Sequence, residues 1–153
     1  NGELSQEELA DRFREILNRG FNMDRIARFV LGRHWRTAKP DEQERYLKLF
    51  REFVVRTYVG RFDEYSGEVI QVTNAREQGK YILVDSVIRR PTANDVKVEW
   101  RMQESDGAFK VIDVVVEGVS MGITQRADFD SIIQRQGGSL SALNDILEDR
   151  LNQ

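Results

Sequence analysis

Residues 109–122, Phe-Lys-Val-Ile-Asp-Val-Val-Val-Glu-Gly-Val-Ser-Met-Gly, constrain this chain more than any other stretch. β-Branched residues dominate the run and Glu117-Gly118 closes it, which is the pattern of a central strand buried on both faces. Such a strand needs partners along its edges and cover over its faces, so the rest of the chain is expected to supply both. Its one polar intruder is Asp113.

The partners precede it. Stretches 67–73 and 81–88 read as strands, separated by 75–80 with Gly79 as the turn residue. Val96, Val98, Trp100 and Met102 then alternate with Lys97, Glu99 and Arg101, as in a half-exposed antiparallel strand. Asp106-Gly107 is a hairpin turn of the type that needs positive φ. The result is a four-stranded antiparallel meander.

Cover comes from both ends. Ser5 with Glu8 forms a capping pattern, and Leu9, Phe13, Ile16 and Leu17 share one helical face before Gly20. Asn22 starts a second helix that Gly32 ends, and residues 33–36 form a bridge. Pro40 and its acidic followers open a long helix to about residue 65. Tyr46, Phe50, Phe53, Val54, Tyr58, Phe62 and Tyr65 line its one aromatic-rich face, expected to lie over the sheet. After the strand run, a helix is expected from Thr124 or Gln125, then Gly137-Gly138, then a last helix from Ser139. Helices, sheet and helices in that order make an α+β domain over residues 1–153. Its sheet-and-helix part is about 41–123 and its helical part about 1–40 with 124–153.

Composition narrows the function. With 23 basic and 26 acidic side chains the formal charge is −3 and no basic run stands out, which argues against nucleic-acid binding. Cysteine is absent, so thiol chemistry and thiolate metal sites are excluded, and one histidine, His34, cannot build a multi-histidine metal site. No metal or cofactor is expected, and no phosphate loop or nucleophile elbow is present. No apolar stretch reaches the roughly 20 residues of a membrane span. Residues 1–3 have neither a basic nor an apolar leader character, so any signal peptide is expected to be missing from this sequence. No heptad seam argues for assembly, and a monomer is expected.

Asp113 is the candidate for acid–base chemistry, because burial on an apolar strand raises a carboxyl pKa toward that of a general base. Ketosteroid-isomerase-like cones combine such an Asp with Tyr hydroxyls, and Tyr46, Tyr58, Tyr65 and Tyr81 are available. The favoured reading is structural: a pair with an arginine such as Arg126. His34 is likewise expected to cap or pack. A binding protein is expected rather than an enzyme; the aromatic face of 46–65 reads first as core packing, with an apolar cavity as the alternative, whose lining would be Val30, Trp35, Phe50, Phe53, Val54, Tyr58, Phe62, Ile70, Val84, Val98, Trp100, Val111 and Val119. That set follows from helix faces and strand parity.

Six blocks add a resemblance. Phe29-Val-Leu-Gly-Arg-His-Trp35, Pro40-Asp-Glu-Gln43 with Phe50 and Phe53, Arg56-Thr-Tyr58, and Glu64-Tyr-Ser-Gly-Glu68 come first. Asp113-Val-Val-Val-Glu-Gly-Val-Ser120 and Arg126-x-x-Phe129-x-x-Ile-Ile133 follow. In order and spacing the chain resembles the toluene-tolerance (MlaC) family over about residues 5–151. The resemblance implies an NTF2-like curved sheet with an additional helical part, and a shuttle in the bacterial periplasm. Its cargo would be a phospholipid whose acyl chains fill an apolar cavity, so that outer-membrane lipid asymmetry is maintained. The implied partners are an outer-membrane lipoprotein with a porin and an inner-membrane ABC transporter carrying an MCE-domain protein. Family members often carry a helix ahead of 5–19, so the chain is expected to begin late. Lys39 stands where the pattern has a Ser/Thr cap.

Overall fold

The computed structural model describes residues 5–62 and 69–153, excepting the side chains at 6 and 60–62. Tyr65 and the 64–68 block therefore lie outside the described residues, as does the side chain of Phe62.

Four helices come first: α1 (Gln6–Gly20), α2 (Met23–Leu31), α3 (Arg33–Thr37) and α4 (Pro40–Phe62). Their starts follow the expected grammar. Ser5 Oγ accepts from the Glu8 amide, and Asn22 Oδ1 accepts from the Arg25 amide. Between α2 and α3, Gly32 adopts φ 57° and ψ −127°, a conformation that suits only glycine.

The sheet follows in chain order: β1 (Val69–Gln78), β2 (Tyr81–Arg90), β3 (Ala93–Ser105), β4 (Ala108–Val116) and the two-residue β5 (Val119–Ser120). Every neighbouring pair is antiparallel. The expected meander of four strands is present, with β5 added. Residues 75–78, expected in a turn, instead continue β1, because a bulge at Thr73 absorbs the shift in register and lets the hairpin pair to Gln78–Tyr81. At the β3–β4 turn Asp106 and Gly107 both have positive φ, as a two-residue hairpin loop requires.

Two helices close the chain, α5 (Met121–Arg135) and α6 (Leu140–Leu151). Helix α5 begins earlier than expected, since Ser120 at the end of β5 caps it through the Ile123 amide.

The core lies among the helices. Leu17, Ala27, Val30, Leu31, Tyr46, Phe50, Phe129, Ile133, Leu143 and Leu147 form one buried cluster, flanked by partly buried Trp35, Phe53 and Val54. The rings of Trp35, Tyr46, Phe50 and Phe129 meet in series at centroid distances of 6.5, 5.7 and 6.3 Å. Helix α4 packs chiefly on α6 and α1, and the main helix–sheet contacts are those of α5, α2 and α1 with β4 and of α5 with β5. The expectation that the aromatic face of α4 lies over the sheet is thereby corrected: helical partners complete that face, as its periodicity alone allows.

The opening strand run is corrected too. β4 is not a central strand buried on both faces, for only Val111 is fully buried in it. Its outer edge receives β5 and, farther along, Phe21 and Asn22, whose amide donates to the Val111 carbonyl at 2.9 Å. Its apolar richness reflects its place as the seam between sheet and helices.

Candidate functional site

Antiparallel register places opposed residues on the same face of a sheet. One row therefore runs Val72, Ser86, Val98, Val116, Val119 across all five strands. A second runs Ala75, Val84, Trp100, Val114, and a third Ile70, Ile88, Val96. Beyond the β3–β4 bulge, Met102 faces Ile82 and Val111. One face of the sheet is thus apolar across its whole width.

The other face carries charge. Arg76 bridges Glu99 at 2.6 Å and Asp85 at 3.3 Å across three strands. Both carboxylates, in turn, hold the Arg76 guanidinium protonated above its ordinary range, with the Asp85 hydrogen bond the largest cause. A pocket of about 300 Å³ opens along β2 and β3, with Thr73, Val87, Lys97, Val98 and Val115 in its wall.

Burial along the apolar face is uneven. Val98 and Ser86 in the middle are 4% and 3% exposed, whereas Ile70 and Val72 at the β1 edge are 58% and 63% exposed. Val119 at the far end is also exposed. Ser86 looks like a flaw in an apolar row, and nothing in the sequence singles it out. Its hydroxyl donates to the Val98 carbonyl at 2.8 Å and accepts from Trp100 Nε1 at 2.9 Å. The indole is thereby laid across the face with its one polar atom satisfied.

The thirteen candidate lining residues fall into two groups. Ile70, Val84, Val98, Trp100, Val111 and Val119 belong to the apolar sheet face by register. Val30 and Phe50 are sealed in the helical core, with Trp35, Phe53 and Val54 packed beside them. Tyr58 is half-buried on α4, and the side chain of Phe62 lies outside the described residues.

Asp113 does not pair with Arg126. One of its oxygens accepts from the amides of Val114 at 2.8 Å and Gly122 at 3.0 Å, and the other from the Ser120 hydroxyl. These bonds tie β4 to the first turn of α5. Gly122 makes the fit close, since a Cβ would stand 3.2 Å from the Asp113 oxygen and 3.3 Å from the Phe29 ring, so that either would have to give by a few tenths of an ångström. Arg126 lies instead over Phe29, 5.1 Å from the ring centroid. These three donors give the carboxylate a structural role at the junction of β4 and α5.

His34 has a packing role as well. Its Nε2 lies 2.6 Å from Asp130 on α5, and this contact, aided by Arg33, holds the Asp130 carboxyl below its ordinary range. Among the described residues no cluster of three His, Asp or Glu side chains could hold a metal, and no helix is long and apolar enough to cross a membrane.

The family model described as MlaC protein matches residues 1–149. The intermembrane phospholipid transport system binding protein MlaC of Haemophilus influenzae is 26% identical, the match covering 78% of this chain and 63% of that protein. Toluene tolerance protein ttg2D of Pseudomonas putida is 25% identical, over 85% of this chain and 61% of its own length. The chain thus spans a little under two thirds of the curated relatives it matches. A solved phospholipid-binding protein from Ralstonia solanacearum, in complex with a phospholipid, has a TM-score of 0.81. That match covers 94% of this chain and 83% of the other at 20% identity, a likeness of fold.

Proposed function

Because this chain belongs to the MlaC family, we propose that it is a periplasmic phospholipid carrier whose acyl chains lie against the apolar face of the sheet. The carrying observation is the continuous apolar rows across the five strands, which stand apart from the buried cluster of the helices. The names of the relatives and the phospholipid held by the Ralstonia protein support the same cargo.

The chemistry is that of solvation. Each methylene moved from water to an apolar surface is worth about 0.8 kcal/mol. Long acyl chains are thus retained until a partner or a membrane offers an equivalent environment. Ile70, Val84, Val98, Trp100, Val111 and Val119 would line the tails. The lipid would pass between an outer-membrane lipoprotein–porin complex and an inner-membrane ABC transporter with its MCE-domain protein. Transfer in either direction would serve outer-membrane lipid asymmetry.

The test is mass spectrometry of an organic extract of protein purified without detergent. A near-stoichiometric phospholipid is expected from the wild type. Ile70→Asp with Val72→Asp, at exposed positions whose change should leave the fold intact, is expected to lose it. Full lipid content in the folded double variant would overturn the placement of the tails.

A further inference from the structure

The chain is acidic overall, at −3, yet one corner of it gathers unpaired arginines around exposed apolar side chains. We propose that this corner, formed by the C-terminal half of α2, the α2–α3 junction and the start of α5, docks the protein on an anionic lipid membrane. Phe29 and Ile123 are 42% and 59% exposed. The Phe29 ring abuts Gly122, the residue before Ile123 at the start of α5.

Arg126 follows Ile123 by three residues and is pinned flat. Phe29 lies on one side, 5.1 Å from the guanidinium, and Gly32 leaves room on the other, where a Cβ would come within 2.5 Å. Arg28 is held in the same manner, 5.0 Å over the Trp35 ring. Arg25 stands exposed one turn before Phe29. Stacking orders a guanidinium without consuming its five N–H donors. Among the described residues none of these three arginines has a carboxylate within ion-pair distance, unlike Arg14, Arg45, Arg51, Arg76 and Arg89.

The neighbouring acids are already engaged. Asp24 holds Arg51, Asp130 holds His34 and Arg33, and Asp113 is spent on Ser120 and two amides. Glu117 accepts from the Lys97 amide, and Asp128, two residues beyond Arg126, lies on a different side of α5. Apolar tips ringed by ordered cations with unspent donors fit the phosphate level of an anionic bilayer. There the tips enter the acyl boundary and the arginines meet lipid phosphates.

This surface deepens the carrier reading and rests on it only for its purpose; docking is measurable whatever the sheet holds. The experiment is flotation of the whole chain with vesicles of phosphatidylglycerol and phosphatidylcholine, against vesicles of phosphatidylcholine alone. Binding is expected to the first, to weaken with salt, and to be weak on the second. Arg28→Gln with Arg126→Gln is expected to weaken it about thirtyfold, at the usual contribution of a basic residue near an anionic surface. Ile123→Ser should weaken it severalfold, while Arg89→Gln with Arg90→Gln, at the end of β2 outside this corner, should change nothing. Equal binding to both vesicle types, no binding by the wild type, or unchanged binding by the double variant would overturn the proposal. No binding by the wild type would point to an acidic protein surface as the occupant. Lipid extracted from the same preparations reports cargo separately, so failure of docking and failure of the carrier reading give different results.

Discussion

The helical body and the sheet bury their apolar residues in different ways. Phe129, Ile133, Leu143 and Leu147 are 0% exposed and interlock with the ring series of α3 and α4. Cross-helix pairs such as Arg14–Glu52 and Arg45–Glu148 tie the outside of that body. In the sheet, every residue of β1 is exposed although Val69, Ile70 and Val72 are strongly apolar. Helix–helix packing completes the first region, whereas the hydrogen-bond ladder completes the second and leaves one of its faces to be satisfied otherwise. A protein built this way keeps its stability in one region and its unfilled apolar surface in another.

The largest expected effect sharpens that contrast. Phe129→Ala should cost about 3–5 kcal/mol in urea unfolding, while Ile70→Ala should change stability by less than about 0.5 kcal/mol. Comparable losses at the two sites would break the comparison.

The seam between the regions comes next. Asp113→Asn keeps the size of the side chain but turns an NH2 toward donors, so stability should fall by about 1–3 kcal/mol. Hydrogen exchange at the Gly122 amide should accelerate in the same variant, and unchanged exchange there would show that the tie to α5 is made elsewhere.

Within the helical core, Tyr46 donates to the Ala27 carbonyl at 2.7 Å. Tyr46→Phe removes that buried hydrogen bond, at a cost of about 1 kcal/mol. Burial holds the Tyr46 hydroxyl well above its ordinary value of 10.0. Its contribution is complete below pH 10 and declines as the pH rises toward the raised folded value. The wild type should therefore lose stability in alkali with a slope that Tyr46→Phe lacks, which a pH series of unfolding curves would show.

The smallest effect concerns the α3–α5 contact. Asp130 is held below its usual 3.8, so its contribution is present above that value and fades as acid drives the pH through the lowered one. His34→Ala should move the Asp130 titration back upward when followed by NMR. An unmoved midpoint would assign the shift to Arg33.

Much of the fold was legible locally. Ser5, Asn22 and Pro40 start helices where capping chemistry says they should, Asp106-Gly107 turns the hairpin, and the alternation through Val96–Met102 identifies β3 with its apolar side. The sheet members of the candidate lining were legible for the same reason: strand parity assigns Val84, Val98 and Trp100 to one face once pairing is known. Helix periodicity names a buried face without naming its partner, which is why Val30 and Phe50 could be expected at a cavity and lie in the helical core.

Periods of 2 and 3.6, caps and turn residues act over a few positions, and those interactions are written in neighbouring side chains. By itself the sequence thus determined a helical start, an antiparallel meander and a helical close, together with the absence of thiol chemistry. Only the tertiary structure decided that the aromatic face of α4 meets Trp35 of α3, Ala27 of α2 and Phe129 of α5, that β4 is the seam rather than the centre, and that Asp113 serves Ser120 and Gly122 instead of Arg126. It alone brought Phe29, Gly32 and Arg126 together across nearly a hundred residues of chain. Such contacts depend on which buried surfaces fit one another in three dimensions, and no short window of residues contains both sides of the fit.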